Sequence, residues 1–436
     1  MLSQHEQRVF AAARESGTPL YGLCTTRVDA AVRRWNRFVE ALPLPVESYY
    51  SVKTNYLPQV LWQLKTAGIG AEVTSPREWR LARGLHEPSA IVVNGIGKAG
   101  GLLHEVLSGS TPRLVNIETD TEIDIVTSAV SDQPVPVGLR VRIPTLTGQN
   151  GSDPSESWAR GTGKFGWPAN SETAIAAARR LAEAPGADLE ALHLHLGGQI
   201  VTADVYERAL SALSALLERL NGAGIRIRTL DLGGGLASGW VAKRRTGPLA
   251  ALAEAAGLPV DVVVQQEPDL AGIASVFHEY AALLRAYGIE RLLLEPGRFL
   301  AEPSMTAVAT VIAVRHEDGR DVAVVDIGTN ALHCWRADET RPLYFDGYAP
   351  GEPRRYVLVG PLCHRGDTFG TVEVPGTLKP GALVAFGAVG AYSLGDWIAN
   401  AWDRPSVVDI ADGAILWPAA APSDIFASAF DPEFTP

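Results

Sequence analysis

The chain is poor in cysteine and in positive charge. Its 436 residues include only three cysteines, Cys24, Cys334 and Cys363, and no two of them are close in sequence. An odd number of widely spaced cysteines excludes a disulfide framework and a thiolate zinc site. Lys and Arg number 38 against 49 Asp and Glu, a formal net charge of −11. This balance argues against a nucleic-acid or anionic-membrane partner, because both require a positive surface.

Long hydrophobic runs are missing as well. No stretch approaches the roughly 18 consecutive apolar residues of a membrane span, and the N-terminus lacks the basic start and apolar core of a secretory signal. We therefore expect a cytoplasmic protein, which also suits the cysteine usage. The 46% hydrophobic and 20% charged residues are ordinary for a globular protein. The length exceeds the usual span of one domain and predicts two.

Short β-branched runs alternate with stretches of helical period from about residue 47 to residue 298. The runs lie at 90–93, 113–117, 136–143, 191–196, 228–232 and 292–295, and the helical stretches include 59–67, 121–130, 171–184 and 205–221. Repeated strand–helix units predict parallel strands with helical crossovers. About eight such units favour a (β/α)₈ TIM-like barrel over residues 26–300 rather than an open sheet.

After about residue 302 the helical period becomes scarce, and short β-like runs are separated by Gly, Pro and Asp turns. Residues 301–436 are therefore predicted to form a β-sandwich or β-barrel domain. Residues 1–25 are expected to be an N-terminal segment that packs with it. The polar segment 146–163 predicts a long loop, which is either a lid or a solvated excursion.

Polar residues that end apolar runs are the candidates for chemistry, because barrel enzymes carry their active sites at the carboxyl ends of the strands. Lys53 ends one such run. Burial would lower its pKa toward a nucleophilic amine, whereas a surface lysine at a strand end is the alternative. In 192–196, alternation places His193 and His195 on one face of a strand. No metal is predicted there, since no carboxylate is near in sequence, and a flat cofactor ring fits equally well.

Three further motifs follow along the chain. Asp231-Leu-Gly-Gly-Gly235 exposes backbone N–H groups that a phosphate can approach, but it lacks the lysine of a P-loop. Glu295-Pro-Gly-Arg298 combines a carboxylate with a cation, which a structural ion pair would also explain. Cys363 lies between a strand-like run and a turn, where it is either a proton donor or an inert buried thiol.

In chain order these motifs resemble the fold-type III pyridoxal-phosphate (PLP) decarboxylases, which include the diaminopimelate, ornithine and arginine decarboxylases. The resemblance runs from Tyr49 to Asn400. It also includes four shorter motifs: Ala71-Glu-Val-Thr-Ser75, Lys164-Phe-Gly166, Asp326-Ile-Gly328 and Gly390-Ala-Tyr392. So many motifs in the family's order make coincidence implausible, although each alone is weak.

The resemblance implies α-decarboxylation of an amino acid through an external aldimine and a quinonoid. It implies that Lys53 carries PLP, that His195 stacks on the ring, and that Glu295 pairs with the ring nitrogen. Cys363, from the partner subunit of a homodimer with shared active sites, would protonate the α-carbon. The residues implied around the phosphate are Gly234, Gly235, Gly297, Arg298 and Tyr392. The last two are also expected to contact the substrate.

Some positions depart from the family. Gly198 replaces a serine that usually gives the cofactor a hydrogen bond, and Glu72 replaces an aspartate behind the lysine. His364 follows the cysteine, where relatives carry an acid for the substrate's distal ammonium. Imidazole is a poor substitute for that anion. The alternative is that His364 points elsewhere and a nearby acid takes over.

The residues expected to bind the substrate tail are therefore basic. Arg365 follows His364, and Arg341-Pro-Leu-Tyr344 resembles an element that binds the distal carboxylate in diaminopimelate decarboxylases, one residue shorter here. This favours a tail with carboxylates or other acceptors. The candidates are meso-diaminopimelate and a polycarboxylate of the citryl-diaminopropionate type from siderophore or other specialised metabolism.

Two other functions are disfavoured. An amino-acid racemase on a similar barrel would not show the cysteine-bearing turn or Glu-Pro-Gly-Arg. A non-catalytic regulator would be expected to have lost Lys53, Glu295 or Cys363, and all three are present.

Overall fold

The computed structural model describes residues 2–109, 111–129, 134–143, 164–244, 261–317, 319–332, 341–399 and 402–419. The predicted loop 146–163 and Cys334 lie outside these residues. One compact unit comprises residues 30–261 and 266–300, and the other comprises residues 1–29, 262–265 and 301–436. Within the described residues, no helix combines the length and the apolar character needed to cross a membrane.

The elements, in chain order, are as follows. The strands are β1 (Leu20–Leu23), β2 (Val46–Ser51), β3 (Gly70–Val73), β4 (Ile91–Val93), β5 (Leu114–Ile117), β6 (Val135–Arg142), β7 (Trp167–Pro168), β8 (Ala187–Leu194), β9 (Thr229–Asp231), β10 (Trp240–Arg244), β11 (Asp261–Gln265), β12 (Arg291–Leu294), β13 (Met305–Glu317), β14 (Arg320–Val325), β15 (Leu343–Asp346), β16 (Ala349–Val359), β17 (Thr368–Thr377), β18 (Leu383–Phe386), β19 (Ser406–Asp409) and β20 (Ile415–Trp417). The α-helices are α1 (Gln4–Ser16), α2 (Thr25–Glu40), α3 (Pro58–Thr66), α4 (Pro76–Arg83), α5 (Leu102–Leu107), α6 (Asp120–Ser128), α7 (Glu172–Glu183), α8 (Asp204–Gly222), α9 (Leu270–Ala286) and α10 (Arg298–Ala301).

Eight parallel strands close into a barrel, which confirms the predicted (β/α)₈ fold. Their order is β5-β4-β3-β2-β12-β9-β8-β6, and the pairing of β5 with β6 closes the ring. The short strand β7 adds to β6 outside this ring. Most crossovers contain a helix whose buried face is apolar, as in α8, where Leu210, Leu213 and Leu217 are buried. Helical crossovers of this kind are what place parallel strands side by side.

An apolar layer fills the middle of the barrel, formed by one residue from each of five strands. The five residues are Tyr49, Val92, Leu114, Ala191 and Leu293. Tyr49 requires the glycine on the neighbouring strand, because a Cβ at Gly70 would lie 2.5 Å from its ring. This layer separates two sets of polar side chains, one near the amino ends of the strands and one at the carboxyl ends.

The other unit is built on a nine-stranded sheet, which confirms the predicted all-β domain. Its long strand β13 pairs with β1 and β18 along its first half and with β14 along its second half. Strand β1 also pairs with β19. Strand β16 continues through Pro350 and Pro353. The register between β16 and β17 shifts between Pro350 and Arg354, an irregularity that lets a sheet accommodate proline.

Candidate active site

The carboxyl ends of the barrel strands hold a chain of hydrogen-bonded polar side chains. Lys53 lies in a single 3₁₀ turn directly after β2, and its side chain is about half exposed, at 46%. Its Nζ lies 3.0 Å from Oε2 of Glu72, a buried residue of β3. The lysine is therefore accessible from outside while its position is fixed by a buried carboxylate.

Glu72 is held ionised by its neighbours. Burial alone would raise its pKa, but the charge of Lys53 and the hydrogen bonds from Ser51, Lys53 and Asn94 outweigh burial and hold the pKa below its usual range. The Nδ2 group of Asn94, which follows β4, donates to Glu72 Oε1 at 3.1 Å and to Glu295 Oε1 at 2.7 Å. One amide thus links the partner of the lysine to the carboxyl predicted to face the ring nitrogen.

Glu295 and Asp231 lie on neighbouring strand ends and are both buried. Asp231 accepts hydrogen bonds from Gly233 N–H at 3.0 Å and from Asn116 Nδ2 at 2.7 Å. Burial raises the pKa of Asp231 to about 6. Burial, together with the charges of Asp231 and Glu72, raises the pKa of Glu295 well above its usual range. These two carboxyl groups are therefore reluctant to ionise together.

His195 follows β8 at the open end of the barrel, where the residue is exposed. Its Nδ1 accepts a hydrogen bond from Gly197 N–H at 3.1 Å, which leaves the remaining proton on Nε2. Desolvation of the imidazole by the surrounding protein atoms, followed by the charges of Arg140 and Lys53, lowers its pKa to about 4. The ring is therefore neutral near pH 7, as a surface that covers a flat aromatic ring should be.

His193, two residues earlier, is buried, and among the described residues neither of its ring nitrogens has a hydrogen-bond partner. Burial and then the charge of Arg140 lower its pKa well below the usual value. Possible ligand atoms of His193, Asp231 and Glu295 all lie within 4.8 Å of one another. The premise for predicting no metal concerned carboxylates near in sequence, and it did not anticipate these two, which strand pairing brings close to His193 from distant parts of the chain. The absence of a metal stays a prediction.

Glycines shape the turns beside these side chains. Gly235 has φ +106°, and a Cβ there would lie 2.1 Å from Gly197 O. A Cβ at Gly234 would lie 2.5 Å from Glu295 O, and one at Gly297 would lie 2.4 Å from Thr54 Oγ1. At Gly234 and Gly235 only glycine allows the two backbones to approach so closely, and at Gly297 a Cβ would collide with the Thr54 side chain. Bare backbone N–H groups at strand ends suit a phosphate.

A buried ion cluster supports the same end of the barrel. Lys98 is fully buried, with its Nζ 3.1 Å from Glu122 and 3.6 Å from Glu118. Glu118 also contacts Arg140 at 2.9 Å. Burial raises the pKa of Glu122. The cluster holds Arg140 at the level of His193, with which it is paired across β6 and β8.

In the other unit, Cys363 begins an exposed turn with His364 and Arg365, and its thiol is free. Buried Asp367 fixes the turn by accepting hydrogen bonds from Leu362 N–H and Thr329 N–H, each at 2.7 Å. His364 Nδ1 accepts from Gly366 N–H at 3.1 Å. The imidazole thus folds back on its own turn and leaves Nε2 as its outward polar atom.

The remaining predicted residues of this unit have different surroundings. Arg341 is buried, and its Nη2 lies 3.5 Å from Glu302 Oε1. Tyr344 lies on β15 and packs against the apolar cluster around α1. Tyr392 is partly buried and has φ +65°, an uncommon conformation for a non-glycine residue that often marks functional positions. Arg298, in the barrel unit, begins α10 and is partly buried.

Sequence reasoning missed several members of the chain of polar side chains. Asn94 and Asn116 received no role, and Asp231 was noted only as part of a glycine motif. Arg140 and Lys98 were not singled out either. The signal that was available is a polar residue inside or directly after an apolar strand of a barrel, as at Asn116 within β5.

The donor set fits pyridoxal phosphate. An accessible amine, a neutral imidazole, a buried carboxyl of raised pKa and a glycine turn all lie at strand ends of one barrel, where barrel enzymes hold their ligands. When bound, this cofactor supplies an electron sink for the charge left on an amino acid's α-carbon. Fold and site together define a pyridoxal-phosphate enzyme of the barrel type.

Comparisons with known proteins agree with the assignment to the barrel-type pyridoxal-phosphate enzymes. Residues 28–302 match the model of the pyridoxal-dependent decarboxylase, pyridoxal binding domain. A diaminopimelate decarboxylase of Pseudomonas aeruginosa is 29% identical, covering 87% of this chain and 84% of that protein. One from Actinosynnema pretiosum subsp. auranticum is 30% identical, covering 92% and 86%. The crystal structure of diaminopimelate decarboxylase from M. jannaschii superposes with a TM-score of 0.77 at 21% identity, covering 96% and 94%. The chain belongs to the pyridoxal-dependent decarboxylase family and is a PLP-dependent amino-acid carboxy-lyase.

Proposed function

We propose that the chain removes the α-carboxylate of an amino acid, with Lys53 holding the cofactor, Glu295 facing its ring nitrogen and His195 covering its ring. The observation that carries the proposal is the continuous path of hydrogen bonds from Lys53 through Glu72 and Asn94 to Glu295. This path fixes the amine and the carboxyl relative to each other before any ligand binds. Such preorganisation is what efficient catalysis requires.

The phosphate of the cofactor would be held by backbone N–H groups and two side chains. The proposed residues are Gly234, Gly235, Gly297, Arg298 and Tyr392. The close approaches at the three glycines support this assignment, because a side chain there would collide with the neighbouring backbone or with Thr54. Gly198 is the weak point, because it offers no side-chain donor where the family usually has serine.

The active sites are proposed to be shared between the subunits of a homodimer, with Cys363 supplied by the partner to protonate the α-carbon. Support comes from Cys363 itself, which is exposed on a turn whose shape Asp367 fixes. Coexpression of Lys53→Ala and Cys363→Ala chains tests this. Shared sites restore about a quarter of wild-type activity, because half of the dimers then carry one intact site. Sites confined to one chain give none.

The substrate is proposed to carry a carboxylate on its distal end. His364 and Arg365 are both exposed on the turn after Cys363, so they offer hydrogen-bond donors and positive charge rather than an anion. Arg341 is a weaker candidate because it is buried beside Glu302. meso-Diaminopimelate is the first candidate, since it has a distal carboxylate and several relatives are diaminopimelate decarboxylases. The basic turn favours a polycarboxylate of the citryl-diaminopropionate type as the second.

A substrate panel tests the proposal. Carbon dioxide release is measured with PLP and with meso-diaminopimelate, L-ornithine, L-lysine, L-arginine or citryl-diaminopropionate. Turnover of either carboxylate-tailed compound supports the proposal, and turnover of ornithine or lysine alone contradicts it. The variant His364→Glu should decarboxylate L-ornithine and L-lysine, whose tails end in an ammonium group, faster than His364→Gln does. Glutamine is the control because it has a volume similar to that of glutamate but no charge.

Cytoplasmic location remains part of this proposal, and it rests on the cysteine usage described above. Cell fractionation with an antibody to the chain tests it, and recovery in a periplasmic or secreted fraction would contradict it.

A further inference from the structure

Two buried carboxyl groups meet beneath the predicted cofactor site. Asp231 ends β9, Glu295 follows β12, and these strands are parallel neighbours. One oxygen of each carboxyl group lies within 4.8 Å of the other. Two buried carboxylates this close repel each other and can only accept hydrogen bonds, so the pair is stable only when one group keeps a proton.

The surrounding donors decide which of the two groups carries the proton. Both oxygens of Asp231 accept hydrogen bonds, Oδ1 from Gly233 N–H and Oδ2 from the Nδ2 group of Asn116. In the described part of the chain, Glu295 accepts a hydrogen bond only from Asn94, at Oε1. Donors stabilise the ionised form of a carboxyl group. The negative charge therefore resides mainly on Asp231 and the proton mainly on Glu295.

Among the residues that the structure describes, the groups facing this pair leave a second negative charge on it without compensation. The titratable groups that face it are Lys53, Glu72, His193 and Tyr49. Lys53 is paired with Glu72, so their charges largely cancel. His193 is buried with a pKa well below its usual value, and burial raises the pKa of Tyr49. Both are uncharged near neutral pH, so the pair keeps its single proton.

We propose that Asp231 is a positioning residue for Glu295: the two carboxyl groups share one proton before the cofactor binds, and this is the proton offered to the ring nitrogen of pyridoxal phosphate. The proton leaves a Glu295 oxygen, or is shared from it, toward the lone pair of the nitrogen. No other bond changes and no second reactant is needed. The inference rests on the proposed role of Glu295, and it adds that Asp231 sets the protonation state of this carboxyl.

Infrared difference spectroscopy tests the shared proton without any substitution. Spectra of the cofactor-free protein near neutral pH are subtracted from spectra after PLP is added. The expected result is loss or displacement of a protonated-carboxyl C=O band, absent from the same experiment on Glu295→Gln. Glu122 and Asp326, whose pKa values are also raised by burial, are not expected to respond to PLP. An unchanged carboxyl region while PLP binds would overturn the inference.

The dissociation constant of PLP as a function of pH tests Asp231 directly. In Asp231→Asn, Glu295 ionises at lower pH, so PLP binding must take up a proton. As pH is raised, the affinity for PLP is expected to begin to fall at a pH at least one unit lower than in wild type. Beyond that point it should fall tenfold for each further pH unit. The control is Asp188→Asn, the same change in an ion pair with Arg228. Equal weakening at every pH would indicate a merely structural role and overturn the inference. If wild type shows no absorbance of bound PLP, the proposed function fails instead.

Discussion

The two ends of the barrel interior both hold acidic side chains, but they neutralise them differently. Near the amino ends, Arg113 contacts Glu47 with its Nε at 2.6 Å and Glu190 with its Nη1 at 2.5 Å. At the carboxyl ends, Lys53 contacts Glu72, while Glu295 accepts a hydrogen bond from the Asn94 amide and lies within 4.8 Å of Asp231. One end pairs acids with arginines, and the other surrounds an acid with acids and amides.

The pKa shifts of Glu47 at the amino end and Glu295 at the carboxyl end have opposite directions. Burial alone would raise the pKa of Glu47, but the hydrogen bond and the charge of Arg113 outweigh burial and hold this pKa below its usual range. Burial and neighbouring acids raise the pKa of Glu295. Ion pairs with arginine stabilise ionised carboxylates, whereas grouped acids store unfavourable free energy. Grouped acids of raised pKa are typical of functional sites, so the amino end is predicted to serve stability and the carboxyl end chemistry.

Removing the amine has the largest expected effect. Lys53→Ala should abolish the absorbance of protein-bound PLP and reduce decarboxylation below detection, because the side chain proposed to bind the cofactor covalently is gone. The fold should survive, since Lys53 is about half exposed. Lys65→Ala, on the surface of α3, is the control and should retain both signals. Measurable turnover by Lys53→Ala would remove the basis for assigning chemistry to this end.

One substitution at each end tests the comparison itself. Arg113→Ala should lower the free energy of unfolding by about 3 kcal/mol, because it leaves Glu47 and Glu190 unpaired, while kcat stays near wild type. Asn94→Ala should reduce kcat by about 10–100-fold, because Glu72 and Glu295 lose the amide that links them. It should lower the free energy of unfolding by about 1–3 kcal/mol. Urea unfolding and steady-state kinetics measure both quantities. The reverse pattern would contradict the division of roles.

The pH dependence of stability should also differ between the ends. A depressed carboxyl pKa, as at Glu47, adds stability that is lost as pH falls toward the folded-state pKa. A raised pKa, as at Asp231, has the opposite sign: the folded state binds the proton more tightly, so stability is lost as pH rises from about 4 through about 6.

The test is urea unfolding of the cofactor-free protein across the acid range. Relative to wild type, Asp231→Asn should gain about 1–3 kcal/mol between pH 4 and pH 7, since its side chain no longer titrates. Glu47→Gln should show no such gain with rising pH. If the free energies of unfolding of wild type and Asp231→Asn change in parallel with pH, the folded protein does not raise the pKa of Asp231.

Several strand ends could be predicted from the sequence because a polar residue that interrupts a β-branched run is a local signal. The run 228–232 was predicted where β9 spans Thr229–Asp231, and 292–295 where β12 spans Arg291–Leu294. Barrel closure followed from repeated strand–helix units. These features depend on neighbours in sequence and on general rules of chain connection.

The contacts across the barrel could not be predicted in the same way. Asn94 lies 2.7 Å from Glu295, which is 201 residues further along the chain. Which polar residues face inward, and at which level, depends on strand register and stagger, and neither is encoded in a short stretch of sequence. The same reason explains why carboxylates near His193 were overlooked.

The smallest expected effect comes from restoring a missing donor at the carboxyl end. A Cβ at Gly198 has no heavy atom within 4 Å, whereas the neighbouring Gly197 has φ +109° and resists substitution. Gly198→Ser should therefore fit and add one hydrogen bond to the bound cofactor, worth about 0.5–1.5 kcal/mol or roughly 2–10-fold in PLP affinity. Gly198→Ala adds the carbon without the hydroxyl and should leave the affinity unchanged. Equal PLP dissociation constants for the serine and alanine variants would show that a side chain at position 198 makes no hydrogen bond to PLP in this chain.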